Sequence, residues 1–156
     1  MRIIAMQGEA DTGKTTTIRK AYDSFCKTTS VVVPFRFLGN NVDFEVVLKT
    51  RNGKKVGFFS QGDRGEDVLH NIDEAENAGC DILVTAVRTK GGTLNNIFQY
   101  RGKSKDHEVL LVRVIDMYAD SNPSSLVYDN INNFSAISDL MAKHLLNVLE
   151  HVLRVI

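Results

Sequence analysis

The sequence predicts an α/β fold of three layers, with a mostly parallel sheet, helices on both faces and one antiparallel hairpin arm. Short β-branched runs alternate with segments of helical period along the 156-residue chain, which favours a parallel sheet with right-handed crossovers. An Asn-Gly dipeptide, Asn52-Gly53, separates two β-rich runs and indicates the hairpin. At this length we expect a single domain, residues 1–156.

In the first half of the chain, an apolar strand at residues 3–6 leads into a helix that continues to about Lys27. Residues 31–37 form the next predicted strand. Pro34 within it cannot donate to a ladder, so we expect an edge or irregular strand. The two arms of the predicted hairpin follow at residues 44–49 and 55–59.

The second half alternates in the same way. We expect a helix around residues 68–75, a buried parallel strand at 80–87, a short helix within the basic segment 88–105 and a strand at 109–115. Residues 116–133 are rich in Asp, Asn and Ser and predict an exposed loop. A helix with a wide apolar face is predicted from about residue 134 to 153.

The segment between the first strand and the first helix reads GEADTGKT, residues 8–15. It fits G-x-x-x-x-G-K-[ST] at every fixed position, in the strand-then-helix context that the pattern requires. In such a loop, glycines let backbone N–H groups and the helix N-terminus approach a polyphosphate. The residues predicted to bind nucleotide are Gly8, Glu9, Ala10, Asp11, Thr12, Gly13, Lys14, Thr15 and Thr16.

This segment resembles the Walker A loop of P-loop NTPases. The resemblance implies the P-loop NTPase fold and binding of a nucleotide with Mg²⁺. It assigns Lys14 to the β- and γ-phosphates, the Thr15 hydroxyl to Mg²⁺ and Thr16 to the α-phosphate. The hairpin is similar to the GTPase-like side of the superfamily, in which the strand after the hairpin lies beside the phosphate-loop strand.

The Mg²⁺ site of such a loop needs an acidic residue near the end of an apolar strand. Asp63 follows the second hairpin strand and is the preferred candidate with Thr15, because the GTPase-like strand order would place it beside the phosphate loop. Asp116 directly follows an apolar run and remains an alternative. Asp81 precedes its strand and is therefore expected at the opposite edge of the sheet.

Two further side chains are predicted to join Lys14 in catalysis. Gln61 could orient the attacking water, and Arg88, at the carboxyl end of a central strand, could neutralise charge on the γ-phosphate. The alternative for Gln61 is a polar turn residue, and the alternative for Arg88 is a position in a solvated loop. For three later cations of the same basic segment, a solvated loop is preferred over a lid: Arg101, Lys103 and Lys105.

ATP is the expected nucleotide, since no N-K-x-D motif for guanine follows the strand at 80–87. Three functions remain open: an ATPase that hydrolyses the β–γ phosphoanhydride, a small kinase that transfers the γ-phosphate to a metabolite, and a nucleotide-dependent binding module. Because no segment is visibly dedicated to an acceptor, hydrolysis is preferred.

Composition limits the other partners. The 19 basic and 19 acidic residues balance, so nucleic acid is not indicated, and no apolar run predicts a membrane partner. Only two cysteines, in separate elements, suit a cytoplasmic location. The C-terminal helix predicts a homodimer or protein partner, with burial by the chain's own loops as the alternative, because it carries apolar residues at 140, 141, 145, 146, 148, 149, 152, 153 and 155.

Overall fold

The computed structural model describes residues 1–99, 108–114 and 127–156. Within these ranges the chain is an α/β structure with one six-stranded mixed sheet and four α-helices. The strands are β1 (Arg2–Gln7), β2 (Ser30–Phe37), β3 (Phe44–Lys49), β4 (Lys55–Phe59), β5 (Ile82–Val87) and β6 (Glu108–Arg113). The helices are α1 (Lys14–Phe25), α2 (Gly65–Asn77), α3 (Gly92–Gln99) and α4 (Val127–Val155).

The sheet has the strand order β2-β3-β4-β5-β1-β6. β3 pairs antiparallel with both of its neighbours, β2 and β4, and the other pairings are parallel, which confirms the predicted hairpin arm. The hairpin turn uses Gly53 in the left-handed region, at φ +87°, a conformation that costs glycine little. Both hairpin strands have the predicted bounds.

The position predicted for β4 is wrong. We expected the strand after the hairpin to lie beside β1, but β1 pairs with β5 and β6, and β4 pairs with β5. All six residues of β5 are buried, so this strand suits the interior of the sheet, where helices cover both faces. The argument that favoured Asp63 from strand order therefore loses its basis.

The helices cover both faces of the sheet in three layers. On one face, α1 and α4 enclose a core that includes Ile18, Phe58 and Leu145. On the other face, α2 and α3 pack on a core that includes Ile72 and Ile97. This layering leaves the carboxyl ends of β1, β4 and β5 free to border a cavity.

The strand β2 lies at the edge of the sheet, as its proline predicted. It pairs with β3 alone, and the register shifts between Val31 and Val33 and again between Val33 and Arg36. Pro34 lies in the second shifted stretch, where the missing N–H costs no regular ladder bond.

The helix α4 begins at Val127, so the predicted loop is wrong for residues 127–133. Val127, Ile131 and Phe134 recur at helical spacing, and this period outweighed an asparagine-rich composition. The remainder of the predicted loop lies outside the described residues.

The apolar face of α4 is largely used within the chain. Leu145, Leu149 and Val152 are buried, and Leu146 and Leu153 pack half-buried against the same core. The exposed apolar residues described near the end of the chain are Leu140, Val155 and Ile156. A partner bound through α4 stays a prediction. Among the described residues, no helix combines the length and the apolar composition needed to cross a bilayer.

Candidate functional site

The loop between β1 and α1 turns sharply at the carboxyl end of the sheet. The Gly8 N–H donates to the carbonyl of Val87 in β5 at 3.1 Å, so the first residue of the loop is still bonded to the neighbouring strand. Asp11 and Gly13 both take left-handed backbone conformations, at φ 57° and 82°. Gly13 is the N-cap of α1 and carries no side chain to cap it. The first N–H groups of α1 are therefore left for an anion.

The glycine at the start of this loop lies close against side chains of the loop itself. A Cβ on Gly8 would lie 2.5 Å from Thr12 Oγ1 and 3.5 Å from Lys14 Cγ. The Thr12 hydroxyl is fixed there because it donates to the carbonyl of Glu9 at 2.9 Å. The loop is thus closed on itself by short-range contacts.

The ammonium of Lys14 lies inside this loop. Its Nζ donates to the carbonyl of Gly8 at 3.0 Å and to that of Glu9, and only 7% of the residue is exposed. Burial lowers the pKa of Lys14, whereas the charge of Asp63 raises it and that of Arg88 lowers it. Lys14 is a buried cation whose hydrogen-bond acceptors here are neutral carbonyls, and phosphate oxygens would be stronger acceptors.

A cavity of about 370 Å³ opens beside the loop. It lies beyond the carboxyl ends of β4 and β5, where ligands collect in open α/β sheets. Three segments and the end of β5 line it: Asp11, Thr12, Gly13, Lys14, Thr15 and Thr16 from the loop and α1, Asn40, Val42 and Asp43 before β3, Ser60, Gly62 and Asp63 after β4, and Ala86.

The acidic group that contacts Thr15 is Asp43. The Thr15 hydroxyl donates to Asp43 Oδ1 at 2.9 Å, and the Ser60 hydroxyl donates to the same oxygen at 3.0 Å. The other oxygen, Oδ2, accepts from the Asn40 amide at 2.6 Å. This cluster presents hydroxyl and carboxylate oxygens, the donor types that Mg²⁺ prefers, so its chemistry fits the expected ion.

Sequence reasoning missed Asp43, although the hairpin register contains the signal. Since β3 runs antiparallel to β4 and Glu45 pairs with Phe59, the residues just before β3 lie beside those just after β4. Ser60 follows β4 directly, and its hydroxyl accepts from the Phe44 N–H at 2.9 Å. Residue 43 therefore had to lie at the same edge of the sheet as the loop between β1 and α1.

The predicted metal ligand Asp63 also lines the cavity, but its partner is Arg88. The Arg88 Nε lies 3.1 Å from Asp63 Oδ1, with the two side chains 37% and 60% exposed. Hydrogen bonding to Asp63 raises the pKa of Arg88. The structure thus brings these two predicted site residues together, with the charge of each neutralised by the other.

The remaining predicted residues lie around this centre. Gln61 does not line the cavity, and its carbonyl accepts from the buried amide of Asn71. Glu9 is exposed and accepts from the hydroxyl of Thr89, in the segment after β5. Ala10, also exposed, lies outside the cavity lining. This Glu9–Thr89 contact links the loop to the segment that carries Arg88.

Of the remaining acidic and basic candidates, only Asp81 lies within the described residues. Asp81 lies at the opposite edge, as expected, where its Oδ2 accepts from the Lys55 N–H at 2.9 Å. Asp116, Arg101, Lys103 and Lys105 lie outside the described residues. Within the described ranges, no group of three or more His, Cys, Asp or Glu side chains could hold a metal ion by itself.

Comparisons with protein-family models, with curated proteins and with solved structures find no match to this chain.

Proposed function

We propose that this protein binds ATP with Mg²⁺ and hydrolyses the bond between the β- and γ-phosphates. The observation that carries the proposal is the pairing of an uncapped helix N-terminus with the buried ammonium of Lys14 at one wall of a cavity. Both features attract polyphosphate. A volume of about 370 Å³ also falls in the range of small-molecule sites.

In this proposal, the loop residues bind the phosphates and Lys14 exchanges its two carbonyl acceptors for phosphate oxygens. Thr15 and an acidic side chain would hold Mg²⁺, which supplies positive charge against the β- and γ-phosphates. Arg88 would add a second cation after leaving Asp63. Gln61 is the proposed water-orienting residue, and it would have to turn toward the cavity to act.

Free thiols support a cytoplasmic location as part of this proposal. Cys26 and Cys80 form no disulfide, as is usual in a reducing compartment. Burial raises the pKa of Cys80 to about 12, so this thiol is inert at neutral pH.

Thermal unfolding tests the binding step. Mg-ATP at 100 times its Kd should raise the unfolding free energy of the wild type by about 2.7 kcal/mol. Lys14→Ala should remove this stabilisation, because the variant lacks the phosphate-binding cation, while its fold without nucleotide stays intact. The matched control is Lys27→Ala, which removes an exposed lysine outside the cavity and should leave the stabilisation unchanged. Equal stabilisation of wild type and Lys14→Ala would disprove the phosphate-loop assignment.

A turnover assay tests the reaction. Wild type is incubated with Mg-ATP alone and with a panel of metabolites, and both inorganic phosphate and phosphorylated products are measured. Phosphate release without an acceptor supports hydrolysis. Transfer to a metabolite would replace hydrolysis by kinase activity, and tight binding without turnover would leave a nucleotide-dependent binding module.

A further inference from the structure

We propose that Asp43, in the loop before β3, is the carboxylate of the Mg²⁺ site. This inference rests on the proposed function, since it assigns a ligand group at the same cavity. It replaces the preferred candidate Asp63 with a residue that belongs to no predicted motif.

The first argument is contact with the predicted metal-binding hydroxyl. Thr15 Oγ1 donates to Asp43 Oδ1 at 2.9 Å, and both residues line the cavity. No hydrogen bond or ion pair joins Asp63 to Thr15 in the described part of the chain. A carboxylate already within hydrogen-bond distance of Thr15 can contribute to one cation site with it after little movement.

The second argument is charge. The described hydrogen-bond donors to the Asp43 carboxylate are the neutral groups of Thr15, Ser60 and Asn40, and no salt bridge within the described ranges includes Asp43. The Asp63 carboxylate, by contrast, already has the Arg88 guanidinium. A negative charge held in a cavity wall without a cation favours binding of one.

The third argument is positioning from two directions. Ser60 is 1% exposed, and its hydroxyl accepts from the Phe44 N–H while it donates to Asp43. The Asn40 side chain accepts from the backbone N–H groups of Val42 and Asp43, at 3.0 and 2.8 Å, and donates to Asp43 Oδ2. Both carboxylate oxygens are thus oriented before any ion binds.

These observations give Ser60 and Asp43 a divided role. Ser60 occupies the strand-end position where an acidic residue was expected, but it has no charge to offer. The antiparallel strand β3 begins beside it and brings in the carboxylate, so Ser60 acts as a positioning residue for Asp43.

The test measures ATP affinity with Mg²⁺ and with EDTA, for wild type, Asp43→Asn and Asp63→Asn. The ratio of the two Kd values is the Mg²⁺ enhancement. Asp43→Asn should lose about tenfold or more of this enhancement, the loss typical of removing a group that supports a metal site. In EDTA, the affinity of Asp43→Asn for ATP should not be lower than that of wild type, because the substitution removes the negative charge of Asp43 near the phosphates. Asp63→Asn is the matched control and should keep the wild-type enhancement.

Direct metal binding gives a readout apart from nucleotide affinity. Mn²⁺ in place of Mg²⁺ can be counted by electron paramagnetic resonance in the presence of ATP. Wild type and Asp63→Asn should retain the bound ion under conditions in which Asp43→Asn releases it. If Asp43→Asn retains full enhancement and Mn²⁺ while Asp63→Asn loses both, the inference is overturned and ATP binding stands. If wild type binds no ATP with or without Mg²⁺, the proposed function fails instead.

A second experiment covers the case in which Asp43→Asn does not fold. Fe²⁺ replaces Mg²⁺ in the wild-type protein with ATP, and ascorbate with oxygen then cleaves the backbone beside the metal. Cleavage within residues 40–43 supports the inference. Cleavage within residues 60–64, with none at 40–43, would overturn it.

Discussion

The two walls of the cavity are built in opposite ways. The wall formed by the loop before α1 is contiguous, and its internal hydrogen bonds join residues close in the chain, as Thr12 with Glu9 and Lys14 with Gly8. The facing wall is assembled from separate segments, since Asp43 meets Thr15 and Ser60 across 28 and 17 residues. A contiguous loop carries its geometry in its own backbone angles, whereas an assembled wall depends on correct strand pairing. The two walls should therefore respond differently to substitution.

Glycine substitutions test this contrast with the largest expected effect. A Cβ on Gly62, in the assembled wall, would lie 1.9 Å from the carbonyl oxygen of Ala86. Since that oxygen belongs to the central strand β5, the clash is relieved only by moving backbone. We expect Gly62→Ala to lower the unfolding free energy by about 3 kcal/mol, measured by urea denaturation.

The contiguous wall should tolerate the same change better. In Gly8→Ala the nearest atom is the side-chain oxygen of Thr12, at 2.5 Å, which can rotate away at the loss of one hydrogen bond. A loss of about 1 kcal/mol is expected. Gly39→Ala is the control, because nothing lies within 4 Å of its Cβ, and it should change stability by about 0.5 kcal/mol or less. Equal losses for Gly8→Ala and Gly62→Ala would contradict the contrast.

The same contrast explains which parts of the structure could be predicted from the amino-acid sequence. The turn between β1 and α1 could be predicted because the spacing of residues 8–15 defines it, and the hairpin could be predicted because Asn52-Gly53 fixes its turn. The order of the strands could not be predicted from the sequence, since pairing of β5 with β1 depends on packing between distant segments. Asp43 was missed although the predicted hairpin places it beside Ser60, because its contact with Thr15 also depends on where the hairpin joins the sheet.

Ser60→Ala should have a smaller effect than Gly62→Ala. The variant removes the hydroxyl that accepts from the buried Phe44 N–H and donates to Asp43. A buried N–H left without an acceptor costs about 2 kcal/mol, so urea denaturation should show a loss near that value. Ser24→Ala removes an exposed serine hydroxyl on α1 that donates to the Lys20 carbonyl, and it should be nearly neutral. A neutral result for Ser60→Ala would mean that the two strand ends are held together by other contacts.

The ion pair of Asp63 with Arg88 should contribute less than Ser60. Both side chains are more than a third exposed, and water and salt screen such pairs. Asp63→Asn should therefore shift the urea midpoint less than Ser60→Ala does. Raising the salt concentration to 1 M should remove the remaining difference in midpoint between Asp63→Asn and wild type. A large loss that persists in high salt would show that this pair organises the wall as strongly as Asp43 does.

The smallest expected effect comes from the titration of Lys14 in the contiguous wall. Because burial lowers the pKa of Lys14 below 10.5 in the folded protein, the unfolded chain binds more protons between the lowered pKa and 10.5. Stability from this group therefore rises with pH through that window. Cys80 acts in the opposite direction above its ordinary pKa of 9.0, since burial raises its pKa to about 12. This second trend is common to wild type and Lys14→Ala, so it cancels in their difference. Urea midpoints of both proteins are measured between pH 7 and 10.5 without nucleotide. As pH rises, the midpoint of the wild type should increase relative to that of Lys14→Ala. Parallel curves would mean that the Lys14 ammonium is fully compensated by its two carbonyl acceptors before any phosphate binds.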